Sequence, residues 1–580
     1  LRASVLGSPN GARFVIVVGP ATEPNGSLLR ISRSGYHDRA PLVMRLAPKI
    51  CSVRAATLAL VGLLAAAALP GQQKPPQKPA DPAKKFFKGA PVLRVAITLT
   101  AENRQMLRNR PREYVPATIV LDGDKSGWPK VGVKLKGAAG SFRKVDERPG
   151  FTINLGKFGG AERLHGLKRF HLNNGAQDGS CLSEWLGGEV FTAAGYPAPR
   201  VGHAIVTLDG ELLGLYVLRE SFDKRFLLRT VGKTNGSLYD GGFCQDIDRS
   251  LEKDSGDGPD DHSDLQRLLE ACADLGPKST AKLASAIDID AFIDFMAIEA
   301  MLAHWDGYSE SRNNFRLWCS QDLGKSQFFP HGMDQLFDRA DASILKHPSA
   351  IVANAVQQHP QWRKRYRARL KALLPLFKSR TLNKKIKTRA GKVQKVLKRV
   401  DADLARKHDD AVRRLMSKVS SRYRHLQKQV REPEPEPLAF KKGRPIKLDD
   451  WNTAGETSDI ELKKRSFAGT ASLYIACTSR GQKERRGAYR VSALLATGKY
   501  RVTAMARCQG VEGLPGNKGG VRLLAGKTKG TPLLGDCKWT EVSCEFEVTK
   551  FRSNVELRLE LRALDGKAWF KTNSLLLHRF

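Results

Sequence analysis

"HWDGYSESRNNFRLW" (His304 to Trp318) and "FFPHGMDQLF" (Phe328 to Phe337) decide the reading of this chain. The segments "NFRLW" and "SQFFP" read as two short strands of one β-hairpin. Asp306 precedes the hairpin, Asn313 and Asn314 open it, and Asp334 follows it. Oxygen ligands of this kind suit Mg²⁺ or Mn²⁺, and a magnesium site usually keeps several waters and substrate phosphates. Phosphoryl transfer uses such a set: a carboxylate for the attacking hydroxyl, and an Asn and an Asp for metal on the phosphates. Asp306 is then the base, and Asn314 and Asp334 are the metal ligands. Alternation along a strand lets only one of Asn313 and Asn314 face the site, so either fits. The competing reading is a plain hairpin flanked by capping and turn residues.

Working outward, "DIDAFIDFMAIEAMLAHW" is an amphipathic helix that delivers the chain to Asp306. Before it come strand-like runs, "VLRVAITLT", "ATIVLDG", "FTINLG" and "KRFHLNN", and a strand entering a Gly-rich loop, "VGVKLKGAAGS". "SCLSEWLGGEVFTAAG" carries Leu182, Trp185, Leu186 and Val190 at helical spacing, with Gly195 as its C-cap. "HAIVTLDGELLGLYVLRE" is two strands around an Asp-Gly turn. From Gln361 the pattern is helical, with Val393, Val396, Leu397, Val400 and Leu404 on one apolar stripe that Leu415, Met416, Val419, Tyr423 and Leu426 continue. The body is therefore α+β.

Two breaks divide the chain. "PGQQKPPQKPADPAKK" is a Pro/Lys-rich tether over 72–85, and "REPEPEPL" is a stiff Glu-Pro spacer over 431–438. Between them lies a body over 86–430, and beyond them a β-rich tail over 439–580 that reads as a sandwich or jelly roll able to bind polysaccharide. Residues 1–43 show no sustained period and read as an upstream extension. Met44 then opens a basic stretch followed by the uncharged run Ala55 to Leu69, a signal peptide over 44–71, or else a single anchor. The mature chain has no other apolar run long enough to span a membrane. Export permits disulfides, and four cysteines crowd the tail, either bridged or packed as small apolar groups.

The formal net charge is +38. Between Gln361 and Arg431 there are 25 Lys and Arg against four Asp, more than half of that excess. Such charge fits nucleic acid, anionic surfaces or phosphate-bearing ligands. The cations surround an apolar stripe and no aromatic platform accompanies them, which favours a helical subdomain capping the body over nucleic-acid binding.

The order Asp306, Asn314, Asp334 loosely follows the protein-kinase pattern H-R-D-x-x-x-x-N then D-F-G, with Trp305 at the middle place and Asn eight residues after the Asp. "DGELLGLYVLRESFDKRFL", "GSLYDGG" and the two opening stretches, with "RFHLNNGAQDGSCLSEWLGGEVFTAAGYPAPRVG" upstream, resemble the spore-coat protein H (CotH) kinase-like family. The resemblance is detailed from Val131 to Asp338 and looser to Val430. It implies an atypical kinase-like fold, ATP with Mg²⁺ or Mn²⁺, and phosphorylation of a secreted protein or cell-surface acceptor. Asp306 matches the catalytic Asp, and Asp334 the last Asp of the family's Trp-Asp-x-Asp segment, whose first Asp is Gly332 here. Arg148, in "RPGF", takes the place of the nucleotide-binding Lys. Glu184 then pairs with Arg148 or is an ordinary helix Glu. Gly137 and Gly140 let backbone amides approach the phosphates. Glu220 sits near the adenine at a hinge or closes a salt-bridged strand end. Gly332 and Arg148 also fit an inactive relative, a secreted scaffold that keeps the fold.

Overall fold

The computed structural model describes residues 81–580, apart from 90–91, 122–126, 160–162, 274–276, 442, 455–458, 479–483 and 514–518, together with four strands before residue 46. Those four, Arg2–Gly7, Arg13–Gly19, Leu28–Arg33 and Leu42–Arg45, pair antiparallel in chain order within one unit, Leu1–Lys78. A run such as "RFVIVVG" is unbroken instead of alternating, so it carries no period-two signal. The apolar run from Ala55 to Leu69 and the tether up to residue 80 lie outside the described residues. The second unit, Pro79–Phe580, holds body and tail. The stretch read as a tether is partly built into the fold: Asp81 is ion-paired to Arg200 at 2.8 Å, and Ala83 is buried in a helix.

Seven strands close a barrel: β1 (Val92–Thr98), β2 (Val115–Leu121), β3 (Trp128–Lys136), β4 (Gly150–Asn154), β5 (Arg169–Asn173), β6 (Val201–Leu208) and β7 (Glu211–Glu220). Their order is β6-β7-β5-β4-β3-β2-β1. All neighbours are antiparallel except β1 and β6, whose parallel pairing closes the ring. β2 shows why the barrel fills. Its residues alternate buried and exposed, so Val115, Ala117, Ile119 and Leu121 join Val133, Phe151, Phe170, Leu172 and Leu218 inside. Helix α1 (Ser183–Ala193) connects β5 to β6.

The lower lobe holds a four-stranded antiparallel sheet, β8 (Gly236–Asp240), β9 (Glu252–Ser255), β10 (Phe315–Ser320) and β11 (Ser326–Pro330), in the order β9-β8-β10-β11. Helix α2 (Ile289–Leu302) packs on it. Asp288 caps α2 by accepting from the Ala291 amide, and Ala303, at φ 54°, ends it. Phe292, Tyr308, Phe315 and Phe328 knit helix to sheet, with Tyr308 and Phe328 ring centres 4.3 Å apart.

The basic helices follow: α3 (Ile351–Gln358), α4 (Pro360–Leu373), α5 (Ser379–Val400) and α6 (Ala402–Gln429). On α5, Val393 and Leu397 pack on Val201, Ile205, Leu215 and Val217, on the barrel wall. Leu415, Val419 and Leu426 of α6 enter the lower core instead. The two helices thus clamp both halves of the body. Arg422 of α6 is fully buried; its guanidinium donates to the carbonyls of Ala300, Met301, Ala340 and Ala342 at 2.6–3.0 Å.

The tail is one hydrogen-bonded network built on two long strands, β12 (Arg485–Glu512) and β13 (Gly535–Ala563). "GAYRVSALLA" and "GKYRVTAMARCQG", which read as separate strands, form one continuous element, β12. A strand of that length would run roughly 90 Å if straight. Register shifts at Ala496/Gly498, Ala506/Cys508 and Cys508/Val511 bend it around the main tail core. The Glu-Pro stretch is not a free spacer. Glu434 pairs with Arg363 and with Arg552, the latter at 3.0 Å. Buried Gln358 grips the Arg552 backbone from both sides, donating to its carbonyl at 2.8 Å and accepting from its amide at 3.3 Å. Gln358→Leu strands both backbone groups, a loss of about 3 kcal/mol. We expect limited proteolysis to cut this variant within 431–438 while sparing the parent chain.

Candidate active site

The β10–β11 hairpin sets the floor of the site, with the His331 amide donating to the Asn314 carbonyl at 3.1 Å. Asn313 Nδ2 donates to Asp306 Oδ1 at 3.1 Å, and Asn314 Nδ2 donates to Asp306 Oδ2 at 2.8 Å and to its carbonyl at 3.0 Å. Both asparagines therefore hold Asp306. The expectation that only one could do so fails because Asn314, at φ 50°, breaks the strand alternation. Gly332 follows at φ 60°, and a Cβ there would stand 2.2 Å from Asn314 Oδ1. The side chain of Asn314 thus fills the space in front of Gly332.

Asp334 lies in the single turn Met333–Gln335, against which α1 packs. The approach needs Gly187: a Cβ on it would meet Met333 Sδ at 2.7 Å and Leu336 Cδ1 at 2.8 Å. This close packing puts α1 and the turn that caps it beside Asp334. Asp178 caps α1 by accepting from the Ser180 and Ser183 amides at 2.9 and 2.8 Å. Burial, and then the carboxylates of Glu184 and Asp178, push Asp334 up to about 7.

Lys136, the last residue of β3, donates to Asn173 Oδ1, and Asn173 Nδ2 donates to Glu184 Oε2 at 2.8 Å. Burial, and then the charge of Arg219, bring Lys136 down to about 7, against the pull of Glu184 and Asp334. Arg219, itself buried, stands 3.7 Å from Glu184 Oε1. One chain of contacts therefore runs from Lys136 through Asn173 to Glu184, with Asp334 near its end.

One expectation changes and two others are specified. Arg148 is not the partner of Glu184. Its guanidinium donates to the Leu215 carbonyl and lies 5.3 Å from the Tyr216 ring, because the turn after the Gly-rich loop aims it at the β7 backbone. Glu220 is committed as an ion pair: Arg200 and Arg229 each bind it at 2.7 Å, which leaves both oxygens engaged. Gly137 and Gly140 do adopt positive φ, 115° and 83°. However, the loop closes on itself, with the Ala138 amide on Ser141 Oγ and the Ser141 and Phe142 amides on the Ala138 carbonyl. Lys136, Asn173 and Arg219 were absent from the sequence reading. A signal for Lys136 existed: it stands immediately before Gly137, where a strand enters a Gly-rich loop.

Residues 133–426 match the family model described as CotH kinase protein. The chain belongs to the CotH kinase family. That span runs from β3 to α6 and contains Lys136, Glu184, Asp306, Asn314 and Asp334. A relative, the inner spore coat protein H of Bacillus subtilis (strain 168), is 24% identical over 248 residues, 38% of this chain and 67% of that protein. A solved structure, TmCBM61 in complex with beta-1,4-galactotriose, matches at 14% identity over 23% of this chain and 91% of that one. Its TM-score of 0.13 is too low to inform the fold here.

The described residues hold no group of three or more His, Cys, Asp or Glu side chains spaced for a metal. A CotH-type site needs fewer, since magnesium takes one or two protein oxygens and fills the rest with phosphate and water. Asn314 Oδ1 and the Asp334 carboxylate are the groups that would hold such a cation, whose charge would offset the burial and repulsion that raise Asp334. Binding there would displace a proton near neutrality. Mn²⁺ affinity, measured by calorimetry with ATP present, should climb through pH 6–8 and stay low and flat in Asp334→Asn.

Proposed function

We propose that this CotH kinase protein is a phosphotransferase that uses ATP with Mg²⁺ or Mn²⁺ and acts on a hydroxyl of a secreted protein or cell-surface acceptor. The observation that carries the reading is Asp306 held by two asparagine amides at one end of the β10–β11 hairpin, while Asp334, on the turn after that hairpin, feels the charges of Glu184 and the buried Lys136. A carboxylate whose two oxygens each accept an amide hydrogen is fixed in orientation, as a general base must be. Lys136 offers a cation whose charge becomes favourable once phosphate enters its pocket. Asn173 and Glu184 hold it in place. Asn314 and Asp334 are the residues that would hold the metal, which when bound neutralises charge on the transferring phosphates. Arg148 has no part in this account, and neither do the oxygens of Glu220.

A second reading has its own observation. Gly332 stands where the family segment carries an Asp, and Asn314 occupies the space in front of it. A chain altered in this way could serve as an exported scaffold with the fold retained and the chemistry lost.

ATP consumption by the purified chain, with label followed separately from the α- and γ-phosphates, separates the two. For the enzyme, Asp306→Asn lowers turnover by about a thousandfold with nucleotide affinity kept, and Lys136→Met weakens nucleotide binding. Asp334→Asn abolishes the metal requirement together with activity. γ-Label in an acceptor identifies phosphoryl transfer, and α-label nucleotidyl transfer. A folded parent chain that neither binds nor turns over nucleotide leaves the scaffold reading.

A further inference from the structure

The tail contains a pair of cysteines that the phosphotransfer reading does not use. Cys508 on β12 and Cys537 on β13 are register partners across adjacent antiparallel strands. Directly opposed residues of such strands have Cα atoms about 4.5–5.5 Å apart, inside the range a disulfide spans. The two side chains also point the same way. Both thiols face one acceptor, the Leu534 carbonyl, Cys508 Sγ at 4.0 Å and Cys537 Sγ at 3.4 Å. Cys508 belongs to the tail core, and Cys537 packs against that core from a half-buried position.

The other tail cysteines are not placed this way. Cys477 faces Ile460 and Cys544 faces Val502. The location also matters mechanically. Register shifts flank Cys508 on both sides, so the β12–β13 pairing is least regular where the two cysteines sit.

We infer that Cys508 and Cys537 form a cross-strand disulfide when the chain meets a disulfide donor, locking the irregular end of the β12–β13 pairing. The inference is independent of the phosphotransfer reading. Cys537, the more exposed of the two, reacts first: its thiolate attacks one sulfur of the donor disulfide and releases the other as a thiol. Cys508 then loses its proton and attacks Cys537 Sγ in the mixed disulfide, expelling the second donor thiol. Two protein thiols are oxidised, and one donor disulfide is reduced to two thiols. Burial and the adjacent Cys537 push the Cys508 thiol up to about 12, in keeping with its role as the second and intramolecular nucleophile.

The test uses the full chain, purified reduced and then exposed to oxidised glutathione. It is denatured in iodoacetamide and mapped by peptide mass spectrometry. The expected result is a linked peptide joining Cys508 to Cys537, with two fewer alkylated thiols than in the reduced control. Cys477→Ser and Cys544→Ser should give the same link, and Cys537→Ser should leave Cys508 alkylated. Full alkylation of both residues after oxidation, a stable glutathione adduct on Cys537, or linkage of either to another cysteine would overturn the inference. The wild-type map decides the matter even if a variant fails to fold.

Discussion

Burying the Arg422 guanidinium is tolerable only because backbone carbonyls accept hydrogen bonds from its N–H groups. Two of them, from Ala300 and Met301, end α2, and two, from Ala340 and Ala342, follow the turn that carries Asp334. Burial lowers this arginine to about 10, a sign of how little solvent reaches it. A buried cation deprived of acceptors costs several kcal/mol, so α6, the end of α2 and the segment beyond Asp334 hold together as one piece. Asp306 leaves that piece on one side and Asp334 on the other. Their relative placement is a consequence of the cation beneath them, as is the use of a basic helix to close a core.

Above this frame, burial disfavours the ionised forms of Asp334 and Lys136. Asp334 has a folded value near 7, above its usual 3.8. Its protonated form favours folding, so that contribution is complete below the usual value and is lost as pH rises through about 7. Lys136 has a folded value near 7, below its usual 10.5. Its neutral form favours folding, so that contribution is complete above 10.5 and is lost as pH falls to about 7. Near neutrality the fold thus carries an unfavourable term from each. Two neighbouring charged groups that each give up stability are a pattern typical of functional sites.

Much of this was legible because local pattern and local structure coincide. The seven barrel strands, the α1 and α2 helices, the β10–β11 hairpin and the apolar stripe of α5 and α6 all follow from periodicity and turn residues. Closure of the barrel was not legible, since parallel pairing of β1 with β6 joins segments about a hundred residues apart. The site divides along the same line. Asp306, Asn314 and Asp334 lie within one hairpin and its flanks, so their grouping could be read. The cation opposite them comes from β3, and nothing in "KLKG" says which way Lys136 points until β5 and α1 are in place. Arg148 was misplaced for a related reason, its nearer partner being the Leu215 carbonyl, whereas Glu220 took the salt-bridged alternative between two arginines. β12 and β13 were cut into pieces because a bulge and a turn have the same residue signature.

Gly332 and Asn314 are coupled positions. A side chain at 332 collides with the Asn314 amide that orients Asp306. Placing a carboxylate there therefore requires Asn314 to release Asp306, and shifting Asn314 first leaves Asp306 without one of its two supports. Substitutions at the two positions are accordingly non-additive, each setting what the other can tolerate.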